Sequence, residues 1–181
     1  MSRAQQQGFS LLELILVITL IGLLAAWSIR YYNDVAENSQ RVGMEALAHH
    51  FTTAVMGVHG QWLLHTEARG PASQLENDGV LLAISKNGWP VGVVSGGIKA
   101  PASAYEGTQD QQQCAALWMS LLQNPAPYVL AGDDNSKGFR YRISALKTGV
   151  CRFELISSSL QGVYFDYFAH RGQVILSRPR G

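Results

Sequence analysis

Phe9-Ser-Leu-Leu-Glu-Leu-Ile-Leu-Val-Ile-Thr-Leu-Ile-Gly-Leu-Leu-Ala-Ala-Trp-Ser-Ile29 is a run of 21 residues with a single charged side chain, that of Glu13. At a rise of about 1.5 Å per residue, a helix of this length matches the roughly 30 Å hydrocarbon core of a bilayer. The run therefore predicts a helix over residues 9–29 that is long and apolar enough to span a membrane.

The residues before this run differ from an ordinary secretory signal peptide. Signal peptides place their small-residue cleavage site after the apolar run. Here the small residue, Gly8, stands before the run, and residues 1–8 are polar with one basic residue, Arg3. Cleavage between Gly8 and Phe9 would leave the apolar helix on the mature chain and would give Phe9 a free N-terminal amine.

The sequence Gly8-Phe-Ser-Leu-Leu-Glu13, followed by an unbroken apolar run, resembles the type IV prepilin signature. The resemblance implies cleavage after Gly8 by prepilin peptidase, N-methylation of Phe9, and a role for Glu13 in assembly and methylation. It covers roughly the first 30 residues and is shared by pilins, minor pilins and the pseudopilins of type II secretion. The signature therefore indicates a superfamily and leaves the particular machine open.

Residues 30–69 continue the helical pattern without a proline. From Leu47 onward the apolar residues recur at spacings of three and four, which is typical of a helix with one buried face. The apolar positions of this stretch are Val35, Leu47, Phe51, Ala54, Val55, Val58 and Trp62. Together with residues 9–29 they predict one long helix that ends at Gly70-Pro71.

The rest of the chain predicts a second helix and a β-meander. Residues 109–124 place an apolar set on one helical face: Cys114, Leu117, Trp118, Leu121 and Leu122. Four segments of alternating or β-prone residues, joined by short turns, predict consecutive antiparallel strands: 139–143, 151–155, 163–169 and 173–177. In the second of these, Cys151 points inward with Phe153 and Leu155. Residues 72–101 predict one or two short strands or ordered loops.

The predicted fold class is α+β, with a long N-terminal helix packed on an antiparallel sheet in a type IV pilin-like arrangement. The predicted organisation is a leader peptide at 1–8, a transmembrane and assembly helix at 9–29, and a globular domain at 30–181. The amphipathic half of the long helix, up to about residue 69, belongs to that domain. At about 150 residues, this part of the chain has the usual size of a single domain.

Three short segments are similar to pilins of the mannose-sensitive haemagglutinin (MSHA) type: residues 54–62, 87–90 and 114–125. The similarity implies a structural subunit of an MSHA-like pilus that serves surface attachment. Its expected partners are prepilin peptidase, other pilin subunits and an inner-membrane assembly platform. The expected locations are the bacterial inner membrane before assembly and the extracellular pilus afterwards. A type II pseudopilin, and a single-pass membrane-anchored binding protein that never polymerises, are the alternatives.

The sequence contains two cysteines, Cys114 and Cys151. If the part after the apolar helix lies outside the cytoplasm, as that of a prepilin does, we expect a disulfide between them. Such a bond would close a loop of about 38 residues and contribute about 3–4 kcal/mol by the chain-entropy argument. Two free buried thiols are the alternative.

Charge is distributed unevenly along a chain whose formal net charge is +1. Residues 30–136 contain five basic and ten acidic residues, whereas residues 137–181 contain eight basic and two acidic residues. This asymmetry predicts either complementary contacts between subunits or a basic face for an anionic partner such as nucleic acid or surface glycan. Arg140, Arg142 and Arg152 are the residues that would contact nucleic acid.

The sequence lacks the nucleophile elbow, the metalloprotease helix, the phosphate-binding loop and the dinucleotide fingerprint. We therefore expect neither an enzyme nor a bound cofactor. His49, His50, His59 and His65 do not converge on one helical face with a third ligand, so no metal site is expected from them. The segment Asp133-Asp134-Asn135 lacks the ligand spacing of a calcium loop and is expected to be a solvated turn.

Overall fold

The computed structural model describes residues 10–69, 73–94, 110–133, 137–146, 149–156 and 162–177. Within these ranges the chain forms two α-helices and eight β-strands. It divides into two compact units, Met1–Gln40 and Arg41–Gly181. The first helix contributes residues to both units, and every strand belongs to the second unit.

Helix α1, Leu11–Arg69, is continuous over 59 residues, as the sequence predicts. Within the second unit it buries a stripe that includes Phe51 and Val55, both 0% exposed. The stripe begins at Met44 and Ala48, two residues that the sequence analysis did not include. Val35 was predicted to belong to the stripe and does not, since its side chain is 48% exposed. Nine residues separate Val35 from Met44, which places them on opposite sides of a helix with 3.6 residues per turn.

A three-stranded antiparallel sheet follows α1, with strands in the order β1, β2, β3. These strands are β1 at Gln74–Asn77, β2 at Val80–Ile84 and β3 at Pro90–Val93. Asp78 and Gly79, with φ of 48° and 78°, form the two-residue turn between β1 and β2. Such turns need positive φ at both positions, which suits aspartate followed by glycine. The sequence predicted one or two short strands in this region, and the structure contains three.

Helix α2, Gln111–Leu121, begins where the Asp110 side chain accepts a hydrogen bond of 2.6 Å from the backbone N–H of Gln113. This contact satisfies one of the unpaired donors at the helix N-terminus. All members of the predicted apolar face are buried: Cys114, Leu117, Trp118 and Leu121 on α2, and Leu122 directly after the helix ends.

The second sheet has five strands in chain order, β4-β5-β6-β7-β8. Their bounds are Tyr128–Leu130, Tyr141–Leu146, Val150–Leu155, Tyr164–Phe168 and Gln173–Ser177. The last four form the predicted antiparallel meander. Strand β4 was not predicted; it pairs in parallel with β5, with Tyr128 opposite Tyr141. The Gln111 side chain supports this edge by donating a hydrogen bond of 2.8 Å to the Ala131 carbonyl oxygen.

The core of the second unit lies where α1 and α2 meet the two sheets, and it includes Leu82 and Ile84 of β2. The Phe51 ring lies 5.2 Å from Phe153, 5.5 Å from Phe165 and 5.3 Å from Tyr167, measured between ring centroids. Tilted and edge-on rings at this spacing stabilise a core beyond the area they bury. The predicted α+β architecture, with the later part of α1 packed on an antiparallel sheet, is confirmed.

Candidate functional site

The N-terminal part of α1 is exposed along its length. Every described residue from Ser10 to Tyr32 is exposed, and we call residues 10–32 the exposed apolar segment. Large apolar side chains are as much as 74% exposed at Leu11 and 75% at Trp27. Because such a surface is unfavourable in water, this segment needs lipid or another protein around it.

The same segment is long and apolar enough to cross a membrane, judged by length and composition. The helical stretch Leu11–Glu67 contains a window with a mean hydropathy of 2.3, none of it buried inside the chain. This agrees with anchoring in a membrane before assembly. Gly8 and Phe9, the predicted cleavage and methylation positions, lie outside the described residues, as does the predicted leader at 1–8.

Glu13 lies in the first turn of α1 among exposed apolar side chains. A carboxylate is favoured at a helix N-terminus, where unpaired backbone N–H groups point outward. Within hydrocarbon, however, a carboxylate is costly and usually marks a functional contact. The segment therefore presents one carboxylate among apolar side chains, near the end where cleavage would create a new amine, and its other charged residue, Arg30, lies at the opposite end.

The predicted disulfide is confirmed. Cys114 on α2 and Cys151 on β6 are joined, with a Cα–Cα distance of 5.4 Å, and both are fully buried. Next to the bond, the Trp118 ring stacks on Phe153 at 5.3 Å, and its indole N–H donates to the Ala126 carbonyl oxygen at 3.1 Å. The bond therefore connects α2 to the second strand of the meander, as predicted, and Trp118 packs in the core.

The Trp89 ring brings together α1, the turn before β3 and the β7–β8 turn. The sequence does not predict this contact. The Trp89 ring stacks on His59 of α1 with centroids 3.8 Å apart, while Gly172 of the β7–β8 turn approaches the same ring. A Cβ at Gly172 would overlap the Trp89 ring. The sequence predicted short strands or ordered loops over residues 72–101, but nothing local reveals which distant residues this region contacts.

Two hydrogen bonds reinforce this contact. The buried Tyr167 hydroxyl donates to the Pro90 carbonyl oxygen at 2.7 Å, and the Asn87 amide donates to the His170 carbonyl oxygen at 3.4 Å. Burial raises the pKa of Tyr167, because the phenolate would lose its hydration. The turn before β3 is thus held to both α1 and the β7–β8 turn.

The basic residues proposed to contact nucleic acid largely have acidic neighbours. Arg152 forms a two-pronged ion pair with Asp166, with both N–O distances at 2.8 Å, and lies 3.7 Å from the centre of the Tyr164 ring. The hydrogen bond to Asp166 raises the pKa of Arg152 further. Arg142 pairs with Glu154 at 3.3 Å. These pairs neutralise two of the three guanidinium groups, so in the described part of the C-terminal stretch basic and acidic side chains alternate on the sheet.

The histidines do not gather into a metal site in the described part of the chain. His49 and His50 are exposed on α1, and the His59 ring stacks on Trp89. Among the residues that the structure describes, no group of three or more His, Cys, Asp or Glu side chains could hold a metal ion. Asp134 and Asn135 of the predicted solvated turn lie outside these residues.

Comparison with known proteins agrees with the geometry of the N-terminal segment. Residues 3–29 match a family model described as the prokaryotic N-terminal methylation motif. No solved structure matches the chain. The matched residues include the predicted cleavage position, Glu13 and most of the exposed apolar segment. The motif implies processing by prepilin peptidase and assembly with other pilin subunits, and it indicates that the chain is a type IV pilin-like or pseudopilin precursor.

Proposed function

We propose that the chain is a structural subunit of an MSHA-like type IV pilus that serves surface attachment. The observation that carries the proposal is that the two parts of α1 have different surroundings. One part presents a methylation motif and an exposed apolar surface, and the other part completes a disulfide-bonded domain. A subunit of a filament needs both a self-associating helix and a stable domain that it can display.

The proposed organisation follows from this division. Residues 1–8 form the leader, residues 9–29 form the membrane and assembly helix, and residues 30–181 form the pilin domain. Before assembly the helix lies in the bacterial inner membrane, where an assembly platform receives the subunit. After assembly the domain lies on the extracellular pilus. Because lipid contacts are exchanged for helix contacts, the net cost of extraction is modest.

Glu13 has a proposed partner in the mature N-terminus of a neighbouring subunit. Cleavage after Gly8 creates a positive amine at Phe9, four residues from Glu13. In a stack of parallel helices, the carboxylate of one subunit meets the amine of the next, and the pair offsets the cost of each charge in an apolar surrounding. Cleavage thus releases the leader and also creates the positive amine that Glu13 of a neighbouring subunit contacts.

A pseudopilin of type II secretion is the second candidate, since it shares the N-terminal motif. The Cys114–Cys151 bond next to a β-rich C-terminal region favours the pilin, because the major pseudopilins usually lack this disulfide region. The similarity of residues 54–62, 87–90 and 114–125 to MSHA-type pilins favours it as well. A membrane-anchored binding protein that does not polymerise is a third candidate, and it has no need for the methylation motif.

Intact-mass and N-terminal analysis of the chain from membranes and from sheared surface filaments tests the proposal. We expect a chain that begins at N-methylated Phe9 and is present in the filament fraction. Mature chain in membranes alone would favour the pseudopilin, and an uncut chain would leave the plain membrane anchor.

The matched variants Gly8→Val and Gln7→Val test the cleavage position directly. A bulky side chain at Gly8 should block processing, because the peptidase pocket accepts a small residue there, whereas the same change one residue earlier should not. Equal processing of both variants would contradict cleavage after Gly8. Gel mobility of the membrane fraction distinguishes the two chain lengths.

A further inference from the structure

The exposed apolar segment ends in a group of aromatic side chains and one arginine. Trp27, Tyr31 and Tyr32 of α1 are 75%, 71% and 72% exposed, and Arg30 lies among them in the sequence. From residue 10 to residue 26 the sequence contains no tryptophan, tyrosine or basic residue. These residue types are therefore gathered at one end of the segment. We call the group the aromatic belt: Trp27, Arg30, Tyr31 and Tyr32.

The aromatic belt is short along the helix axis. Trp27 and Tyr32 are five residues apart, which corresponds to about 7.5 Å of helix. A bilayer of about 40–45 Å contains a hydrocarbon core of about 30 Å, so each headgroup layer is about 5–8 Å thick. The belt therefore has the height of one headgroup layer. Polar sequence begins directly after it, with Asn33 and Asp34.

The aromatic belt also extends around the helix. Successive residues of an α-helix are about 100° apart, so Tyr31 and Tyr32 lie about 40° and 140° from Trp27, and Arg30 lies about 60° to its other side. Together the four directions cover more than half of the circumference. A partner helix meets one stripe of a helix, whereas a headgroup layer surrounds it. The arrangement favours lipid over a partner protein.

The chemistry of the four side chains suits such a layer. Tryptophan and tyrosine combine an apolar ring with one polar group, and they are enriched where hydrocarbon meets water. Arginine can lay its aliphatic part along the apolar surface and keep its guanidinium group among polar headgroups. The belt thus continues the apolar surface of residues 10–26 into a region that is partly wet.

We propose that the aromatic belt binds the headgroup layer at the C-terminal end of the exposed apolar segment and fixes the depth of α1 in the membrane. Glu13 lies 14 residues before Trp27, or about 21 Å along the helix. With the belt in one headgroup layer, Glu13 is held about 9 Å inside the opposite boundary of a core of about 30 Å. The belt thereby determines how far the Glu13 carboxylate lies from water before assembly.

Fluorescence quenching in vesicles measures the depth of Trp27. The full chain is reconstituted at high lipid excess in phosphatidylcholine vesicles whose acyl chains carry bromine either near the headgroup or near the bilayer centre. Subtracting the signal of Trp27→Leu, which retains the other three tryptophans, isolates Trp27. We expect the shallow bromines to quench Trp27 about twofold or more better than the deep ones. Stronger quenching by the deep bromines, or none by either set, would overturn the proposal.

The double variant Trp27→Leu, Leu20→Trp is the matched control. Position 20 lies seven residues earlier, so its side chain has nearly the same direction and lies about 10.5 Å deeper. The deep bromines should quench the introduced indole better than the shallow ones. Quenching of Trp27 that weakens as the ratio of protein to lipid rises would show that another protein covers the ring, and would overturn lipid as the occupant.

Thiol labelling tests whether the belt sets the depth. The two native cysteines are joined to each other, so Ser28→Cys introduces a single free thiol. Changing Trp27, Tyr31 and Tyr32 to leucine removes their polar groups, so this end should sink into hydrocarbon. The thiol should then react about fivefold more slowly with a membrane-impermeant maleimide, which needs the thiolate. The exchange Trp27→Tyr, Tyr31→Trp, Tyr32→Trp should restore the rate. Equal rates with and without the belt would overturn its depth-setting role.

The inference rests on the membrane stage of the proposed function and not on filament formation. Chain with Trp27 at shallow depth in vesicles but never present in sheared filaments would overturn the proposed pilus subunit and support the aromatic belt. Chain that is present in filaments, but whose Trp27 lies deep or outside the lipid in vesicles, would overturn the aromatic belt alone.

Discussion

The two parts of α1 use the same secondary structure for different purposes. In the exposed apolar segment every described residue is open to its surroundings, whereas Phe51 and Val55 further along are fully buried. Helix α1 is continuous, so secondary structure does not distinguish them. The apolar side chains of the first part therefore need contacts with lipid or other subunits, whereas those of the second part are buried by the chain itself. Changes in the first part should therefore affect assembly, and changes to the buried side chains of the second part should affect folding.

Glu13→Ala should impair assembly through the exposed apolar segment and leave the folded domain unchanged. Glu13→Ala removes the proposed partner of the Phe9 amine, so we expect the filament fraction to fall by about tenfold or more. The unfolding midpoint of the domain should not change. Filament content is measured by immunoblot of sheared material against membranes, with Glu76→Ala on β1 as the control. Wild-type amounts of Glu13→Ala chain in filaments would contradict the proposed role of Glu13.

Phe51→Ala should destabilise the domain that the second part of α1 helps to form, without changing the exposed apolar segment. Phe51 is fully buried and contacts three aromatic rings, so its truncation should lower the free energy of unfolding by about 3–5 kcal/mol. Denaturant titration of the mature chain in detergent measures this loss. Met56→Ala, on the exposed side of the same helix, should change it by about 0.5 kcal/mol or less. Equal losses in the two variants would contradict the assignment of the buried face.

Loss of the disulfide should weaken only the domain. The double variant Cys114→Ala, Cys151→Ala should lower the free energy of unfolding by about 3–4 kcal/mol, since the bond restricts the unfolded chain. Leader cleavage should continue, because the motif lies far away in the sequence. Labelling with a thiol reagent checks the bond itself. Wild-type chain denatured without reductant should not react, and a reaction there would show that the cysteines are free.

Tyr167→Phe should produce a smaller loss that depends on pH. At neutral pH the variant loses the hydrogen bond to Pro90, which should cost about 1–2 kcal/mol of unfolding free energy. Burial raises the pKa of Tyr167, so above about pH 10 the unfolded chain releases this proton while the folded chain retains it. Wild-type stability therefore falls as pH rises through that range. Denaturant titrations from pH 8 to 11 should show a shallower fall in Tyr167→Phe, and parallel curves would contradict this.

Glycine-to-alanine changes should alter the free energy of unfolding in opposite directions, depending on where the glycine lies. Gly57 is exposed and helical, with nothing within 4 Å of the position a Cβ would take. Gly57→Ala should raise the free energy of unfolding by about 0.5–1 kcal/mol, because alanine loses less backbone entropy in a helix. Gly172→Ala should lower it, since Gly172 has a φ of 64° and its new Cβ would overlap Trp89. Thermal unfolding followed by circular dichroism measures both, and the same direction of change in both would contradict this account.

Elements that depend on local periodicity could be predicted from the sequence. The repeat of three and four that marks Phe51, Val55 and Val58 predicted the buried face of α1, and the alternation around Phe153 predicted the meander. The prepilin-like motif was also recognisable from the sequence, because it is a short contiguous run, and residues 3–29 match the methylation-motif family model. Local patterns of this kind carry their own signal, since each residue is placed by its near neighbours.

Apart from the disulfide, which follows from the presence of only two cysteines, several features that depend on distant residues could not be predicted. Strand β4 has three residues, too few to show an alternation, and it exists because β5 lies beside it. The stack of Trp89 on His59 joins positions that are 30 residues apart in the numbering. The pairing of Arg152 with Asp166 follows from the register of β6 against β7, so net charge along the sequence overstated the basic character of the folded surface.

The contacts around Trp89 have a consequence for the order of events during synthesis. Tyr167 with Pro90, and Asn87 with His170, are 77 and 83 residues apart. Closing such long loops is slow, and neither loop can close before β7 has emerged. The exposed apolar segment, in contrast, is among the first residues made and needs no distant contact to become helical. If this segment enters the membrane at that stage, as the proposed function implies, the chain is anchored there while the domain is still incomplete.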